Sequence, residues 1–153
     1  MALGLGMKVI AADMFIPKVD VKVEFFDGQS ITTTILSQSL ESLFKEADFI
    51  SLHVPAQDGY IVDEATLSIM KDGVGIVNCA RGGVIDEVAL IKALDSGKVS
   101  FAGLDVFESE PKPEMTILMH PKISLTPHIG AATGEAQDRI GTELASQIIS
   151  ILS

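Results

Sequence analysis

The sequence predicts an α/β protein built on a doubly wound parallel sheet, and three observations carry that expectation. Short β-branched runs bounded by turn residues alternate with amphipathic helical stretches along the whole chain. The run Gly75-Ile76-Val77-Asn78 has the length and apolar content of a strand covered on both faces. Polar residues close successive strands, at the edge where open α/β sheets collect their ligands.

The elements follow in order. Leu3-Gly4-Leu5-Gly6 reads as a helix end stopped by glycine, and 8–13 as a strand closed by Asp13. Residues 14–29 hold Pro17, alternating charge and Asp27-Gly28, which predicts a loop or irregular strand. The β-branched run 31–35 predicts a short edge strand. Ser39 caps a helix carrying Leu40, Leu43, Phe44 and Ala47, and 48–55 is a strand stopped by Pro55. Asp63 opens a helix with Leu67, Ile69 and Met70 on its apolar side.

The central strand delivers Arg81 to its tip, Gly82-Gly83 turns the backbone, and Asp86 caps a helix through Val88, Leu90, Ile91 and Leu94. A strand at 101–106, a proline-bearing loop at 107–122 and a strand at 123–126 follow. The last helix is expected from about Thr133 to the terminus, with Ile140, Leu144, Ile148, Ile149 and Leu152 on one side.

Composition narrows the function. A chain of 153 residues is one ordinary domain, and its net charge of −10 disfavours nucleic acid or an anionic membrane as partner. No apolar run reaches the roughly 20 residues of a membrane span, and the N-terminus shows no leader pattern. One cysteine, Cys79, forms no internal disulfide, which points to the cytoplasm and to a small core thiol. No metal is expected.

Arg81, Asp105, Glu110 and His128 lie at or just beyond consecutive strand ends. The planar fork of Arg81 suits a carboxylate, although a structural acid at the loop would satisfy it as well. A histidine near a carboxylate suits exchange of a hydroxyl proton during hydride transfer, with Glu110 orienting the ring of His128 and favouring its protonated form. Asp13 stands where a dinucleotide-binding fold places an acid on the adenosine ribose, favouring NAD over NADP; a strand-end turn is the other reading.

Three spaced blocks then carry a family likeness. Asn78-Cys79-Ala80-Arg81-Gly82-Gly83, Asp105-Val106-Phe107-Glu108-Ser109-Glu110-Pro111 and Pro127-His128-Ile129-Gly130-Ala131-Ala132-Thr133 resemble the signature motifs of the D-isomer-specific 2-hydroxyacid dehydrogenases. The phosphoglycerate-oxidising branch is similar in Glu135-Ala136-Gln137 as well. The resemblance implies a Rossmann-type fold with NAD as cofactor, and Arg81, Glu110 and His128 as the catalytic set. It implies that Asp13 holds the ribose, that His53, Val54 and Pro55 line the adenosine side, that Cys79, Ala80 and Arg81 approach the nicotinamide, and that His128 and Gly130 also belong to the cofactor-binding set. Asp105 would hold the carboxamide.

The implied reaction is oxidation of 3-phosphoglycerate to 3-phosphohydroxypyruvate, the entry to serine synthesis. Glycerate, glyoxylate or lactate relatives are alternatives, and so is an NAD-responsive, corepressor-like interaction module. By the same resemblance the family's first strand and glycine-rich loop precede Met1, so 1–153 is expected to be a partial NAD-binding domain without its substrate domain. The isolated chain is then expected to bind NAD weakly and to be inactive, with a homodimer formed by the longer protein.

Overall fold

The computed structural model describes residues 1–152. It opens on a single 3-10 turn, Leu3–Leu5, stopped by Gly6 in the left-handed region at φ 76. Residues 8–13 are extended but do not form the expected strand. Their one ladder contact is a parallel bridge from Ala11 to Ser37, backed by the Gln38 amide donating to the Ala11 carbonyl at 2.9 Å. A strand exists by the neighbour that satisfies its backbone groups. Here the facing edge lies across a groove of about 600 Å³, with Met7, Lys8, Val9 and Ile10 on one side and Phe49, Ile50 and Ser51 on the other.

Residues expected as a loop or irregular strand then form the first half of a regular hairpin. β1, Lys18–Glu24, pairs antiparallel with β2, Ser30–Leu36, and the two stand as their own sheet. The strict alternation Lys-Val-Asp-Val-Lys-Val-Glu before Asp27-Gly28 is a hairpin signal that the charges and Pro17 obscured. The strand at 31–35 is therefore paired outside the main sheet.

The remaining elements alternate as expected. α1, Leu40–Glu46, is capped by Ser39, whose hydroxyl accepts from the Ser42 amide at 3.1 Å. β3, Phe49–Leu52, leads to α2, Glu64–Ile69, where Asp63 and Thr66 form a reciprocal capping box. β4, Val74–Asn78, is followed by α3, Glu87–Ser96, with Asp86 accepting from the Ala89 amide. β5, Val99–Leu104, starts two residues before the expected strand. The long loop that follows contains a short helix, α4, Met115–Leu118, before β6, Ile123–Leu125. α5, Gly134–Leu152, closes the described chain, so the expected run to the terminus lies outside the described residues at Ser153.

β3, β4, β5 and β6 are parallel in that order. Alternate residues of one face, Ile50, Leu52, Ile76, Ala102 and Leu104, are buried with Leu90 and Leu94 of α3 and Ile117 of α4. On the other face the Phe49 and Phe101 rings flank Gly75 at a centroid distance of 6.2 Å and keep much of their surface exposed. α5 buries none of its residues, so the apolar side formed by Ile140, Leu144 and Ile148 is not covered within the described chain.

Candidate active site

The sheet register brings the site together. Leu52 is level with Asn78, Asn78 with Leu104, and Leu104 with Leu125. The strand ends therefore form one rim, and His53 to Pro55, Cys79 to Arg81, Asp105 and the turn carrying His128 all begin there. β4 and β6 are two strand spacings apart, about 10 Å, which lets side chains from both reach one small molecule.

Arg81 is presented by a braced turn. The buried side chain of Asn78 accepts from the Ala80 amide and donates to the Arg81 carbonyl, each at 3.0 Å. This satisfies the backbone that leaves the strand and holds Ala80 inward. The Arg81 side chain is exposed, donates from Nη1 to the Ala80 carbonyl at 2.6 Å, and has no carboxylate partner among the described residues. Among the described residues no structural acid pairs with this arginine, whose Nη1 rests on its own turn.

Cys79 corrects an expectation. It is exposed rather than a core thiol, because the backbone leaving β4 buries Asn78 and Ala80 and turns the residue between them toward the rim.

Asp105 is buried and gathers three donors. Oδ1 accepts from the Thr126 hydroxyl at 2.5 Å and the Ile129 amide at 2.9 Å, and Oδ2 from the Gly130 amide at 2.8 Å. These bonds shape the turn that carries His128, whose backbone sits in the left-handed region at φ 54. A carboxylate has about four acceptor positions, and these donors use three of them. A Cβ at Gly130 would stand 3.0 Å from Oδ2, which explains the small residue.

Burial raises the Asp105 carboxyl, but the Thr126 hydroxyl and the two amides together hold it below its ordinary value of 3.8. A depressed folded value means the contribution is full above the unfolded pKa and is lost as pH falls through the folded one. The amide resonances of Ile129 and Gly130 should therefore titrate together with a midpoint below 3.8. Resonances that stay fixed through that range, or move separately, would sever the turn from this carboxylate.

His128 lies 2.7 Å from Glu110, Nδ1 to Oε2, and the second Glu110 oxygen accepts from the Phe107 amide at 3.0 Å. Glu110 is held below the ordinary carboxylate range, first by the His128 hydrogen bond and then by that amide. An ionised carboxylate only accepts, so Nδ1 carries the hydrogen and the Nε2 lone pair of the neutral ring is left for exchange.

The cofactor-side residues divide. His53 is exposed on the rim with Nε2 2.8 Å from the Ser51 hydroxyl, Val54 packs partly against the core, and Pro55 is exposed. Asp13 ends the 8–13 segment, beside Ser37. One of its oxygens, Oδ1, accepts from the Phe15 and Ile16 amides at 2.7 and 2.9 Å, and its backbone is tied to the Ser37 hydroxyl. It makes the strand-end turn, and its Oδ2 has no protein partner among the described residues. Sequence reasoning passed over Asn78 and Thr126 as bracing groups; a buried asparagine at a strand end was the one available signal.

A carboxylate-backed imidazole and an arginine with no carboxylate partner among the described residues thus stand at the carboxyl edge of a parallel, dinucleotide-fold sheet. The chain belongs to the D-isomer specific 2-hydroxyacid dehydrogenase family, whose NAD binding domain matches residues 1–130. It is 47% identical to a hydroxypyruvate reductase of Thermotoga maritima, over 99% of this chain and 47% of that protein. It is 42% identical to a D-3-phosphoglycerate dehydrogenase of Methanocaldococcus jannaschii, over 99% of this chain and 28% of that one. A D-lactate dehydrogenase from Aquifex aeolicus, solved with NAD and lactic acid, superposes with a TM-score of 0.71 at 34% identity, over 98% of this chain and 47% of that one. The chain thus spans half or less of the length of these relatives.

Proposed function

We propose that these residues serve the NAD-dependent oxidation of a short D-2-hydroxy acid, with D-3-phosphoglycerate as substrate. The pairing of His128 with Glu110 beside the unpaired Arg81 carries this reading. Arg81 holds the substrate carboxylate through two parallel charge-assisted bonds. His128 takes the C2 hydroxyl proton at Nε2, and Glu110 keeps the ring oriented and stabilises the imidazolium that results. When bound, NAD supplies the hydride acceptor. Its fit is supported by the open acceptors on Asp13 and Asp105 and by the exposed rim at His53 to Pro55 and Cys79 to Arg81.

Similarity to D-3-phosphoglycerate dehydrogenases supports the phosphoglycerate assignment and a place in serine synthesis. The higher identity to a hydroxypyruvate reductase favours a second reading, reversible reduction of hydroxypyruvate to glycerate. Initial rates with 3-phosphoglycerate, D-glycerate and D-lactate, measured on the polypeptide joined to its substrate domain, separate them. Preference for glycerate would overturn the first.

In that polypeptide Arg81→Lys should raise KM for the hydroxy acid by tenfold or more, about the worth of one charged hydrogen bond, because a point charge cannot reproduce the fork. An unchanged KM would remove Arg81 from substrate binding.

The groove of about 600 Å³ beside β3, whose outer edge has no strand partner among the described residues, supports reading 1–153 as a partial NAD-binding domain, inactive by itself. The uncovered apolar side of α5 supports a homodimer of the longer protein, and a single unpaired thiol suits the cytoplasm. No helix among the described residues is long and apolar enough to cross a membrane.

A further inference from the structure

Glu110 stands on an exposed loop, and a solvated glutamate does not hold one geometry unaided, since ordering such a side chain costs up to about 2 kcal/mol of rotamer freedom. The loop is held from behind by a reciprocal pair. The Glu108 amide donates to Glu87 Oε1 at 2.9 Å, and the Glu87 amide donates to Glu108 Oε1 at 2.8 Å. The Tyr60 hydroxyl donates to the other Glu108 oxygen at 3.2 Å.

We propose that Glu108, clasped to Glu87 at the first turn of α3 and steadied by Tyr60, positions Glu110 against His128 and thereby decides which imidazole nitrogen carries the proton. This deepens the hydroxy-acid reading and rests on it. Neither Glu108 nor Glu87 touches the reacting atoms; both act through Glu110.

Three features carry the inference. The Glu87 amide is one of the unpaired donors at the start of α3, so Glu108 fills a helix-end vacancy that Asp86 leaves open. Glu87 is buried, 7% exposed, with no cation beside it among the described residues. Burial pushes its carboxyl up and the Glu108 and Glu114 carboxylates push the same way, although the Glu108 amide opposes them. A group kept there against its own solvation is retained for the bond it makes. Between Glu108 and Glu110 only Ser109 intervenes, and on the other side of Glu108 the buried Phe107 gives its amide to Glu110 and lays its carbonyl against Gly82 beside Arg81.

The test reads the tautomer directly. In the full chain labelled with ¹⁵N-histidine, long-range ¹H–¹⁵N spectra above neutral pH should show His128 with its hydrogen on Nδ1. Glu108→Ala should convert that signal to the mixture of free histidine, as Glu110→Ala should, while Glu108→Gln, which keeps an acceptor for the Glu87 amide, retains the wild-type form. His120, hydrogen-bonded to Asp95 at 3.3 Å away from this loop, should stay unchanged throughout.

If Glu110→Ala alters His128 and Glu108→Ala does not, the clasp is overturned and the Glu110–His128 pair stands. If wild-type His128 shows no Nδ1–H preference, the pair itself fails and the clasp with it. Should Glu108→Ala unfold, losing the His120 signature too, Glu108→Asp decides, since its shorter side chain does not reach the Glu87 amide. A mixed His128 with His120 unchanged supports the clasp, and an unaltered His128 overturns it.

Discussion

Replacing His128 by asparagine, in the polypeptide carrying its substrate domain, is expected to lower kcat by about two to four orders of magnitude, the usual range for a lost general acid–base group. Asparagine keeps a polar side chain of similar reach but cannot exchange a proton near neutral pH. The neighbouring turn should survive, because Asp105 is satisfied by Thr126 and by the amides of Ile129 and Gly130, none of which involves the imidazole. Substrate KM should change little, since the carboxylate is assigned to Arg81. Steady-state rates with the preferred hydroxy acid check this, and a fall of less than tenfold in kcat would remove His128 from the chemical step.

The largest expected loss of stability comes from adding one methyl group at Gly82. A Cβ there would lie 1.9 Å from the Phe107 carbonyl oxygen and 2.6 Å from its carbon. Both partners are backbone, so no rotamer change relieves the clash, and either the turn after β4 or the loop after β5 has to move. Overpacking costs about 1–3 kcal/mol where side chains can yield. Here the upper end is expected, with a Tm fall of roughly 6–12 °C for a domain of this size.

Gly83 is the control. Its φ of 75 disfavours an L side chain, but a Cβ there meets nothing within 4 Å. Gly83→Ala should therefore cost about 1–2 kcal/mol, the left-handed penalty alone. Thermal unfolding of the two variants side by side checks the argument. Equal losses would mean that the contact between the Arg81 turn and the Phe107 loop is not what excludes a side chain at 82.

Much of the chain was legible because its signals are local. Ser39, Asp63 and Asp86 announced helix starts within a few residues of themselves, and each caps as expected. The strand–Arg81–helix unit followed from an apolar run, two glycines and an acidic cap. The hairpin of β1 and β2 was legible in its alternation and was misread through its charges.

Other features depended on what lay opposite. Residues 8–13 have the composition of a strand, yet composition does not supply the neighbouring backbone that a strand requires, and the groove beside β3 leaves them with one bridge. Cys79 reads as a core thiol from its apolar surroundings in sequence, but the turn braced by Asn78 faces it outward. α5 has an apolar side at helical spacing, which promises burial without saying against what.

By itself, then, the amino-acid order determined the alternating α/β class and the caps, and offered Arg81, Glu110 and His128 as candidates, because periodicity and turn chemistry act over spans of roughly ten residues or fewer. The pairing of Glu110 with His128 was expected from residue chemistry and the family likeness; the tertiary structure alone gave its geometry, Nδ1 to Oε2, and decided that Asp105 shapes the histidine turn and that Glu87 and Glu108 each accept from the other's amide. Those partners lie 18 to 25 residues apart, and their contact follows from parallel register and loop packing, which no local pattern encodes.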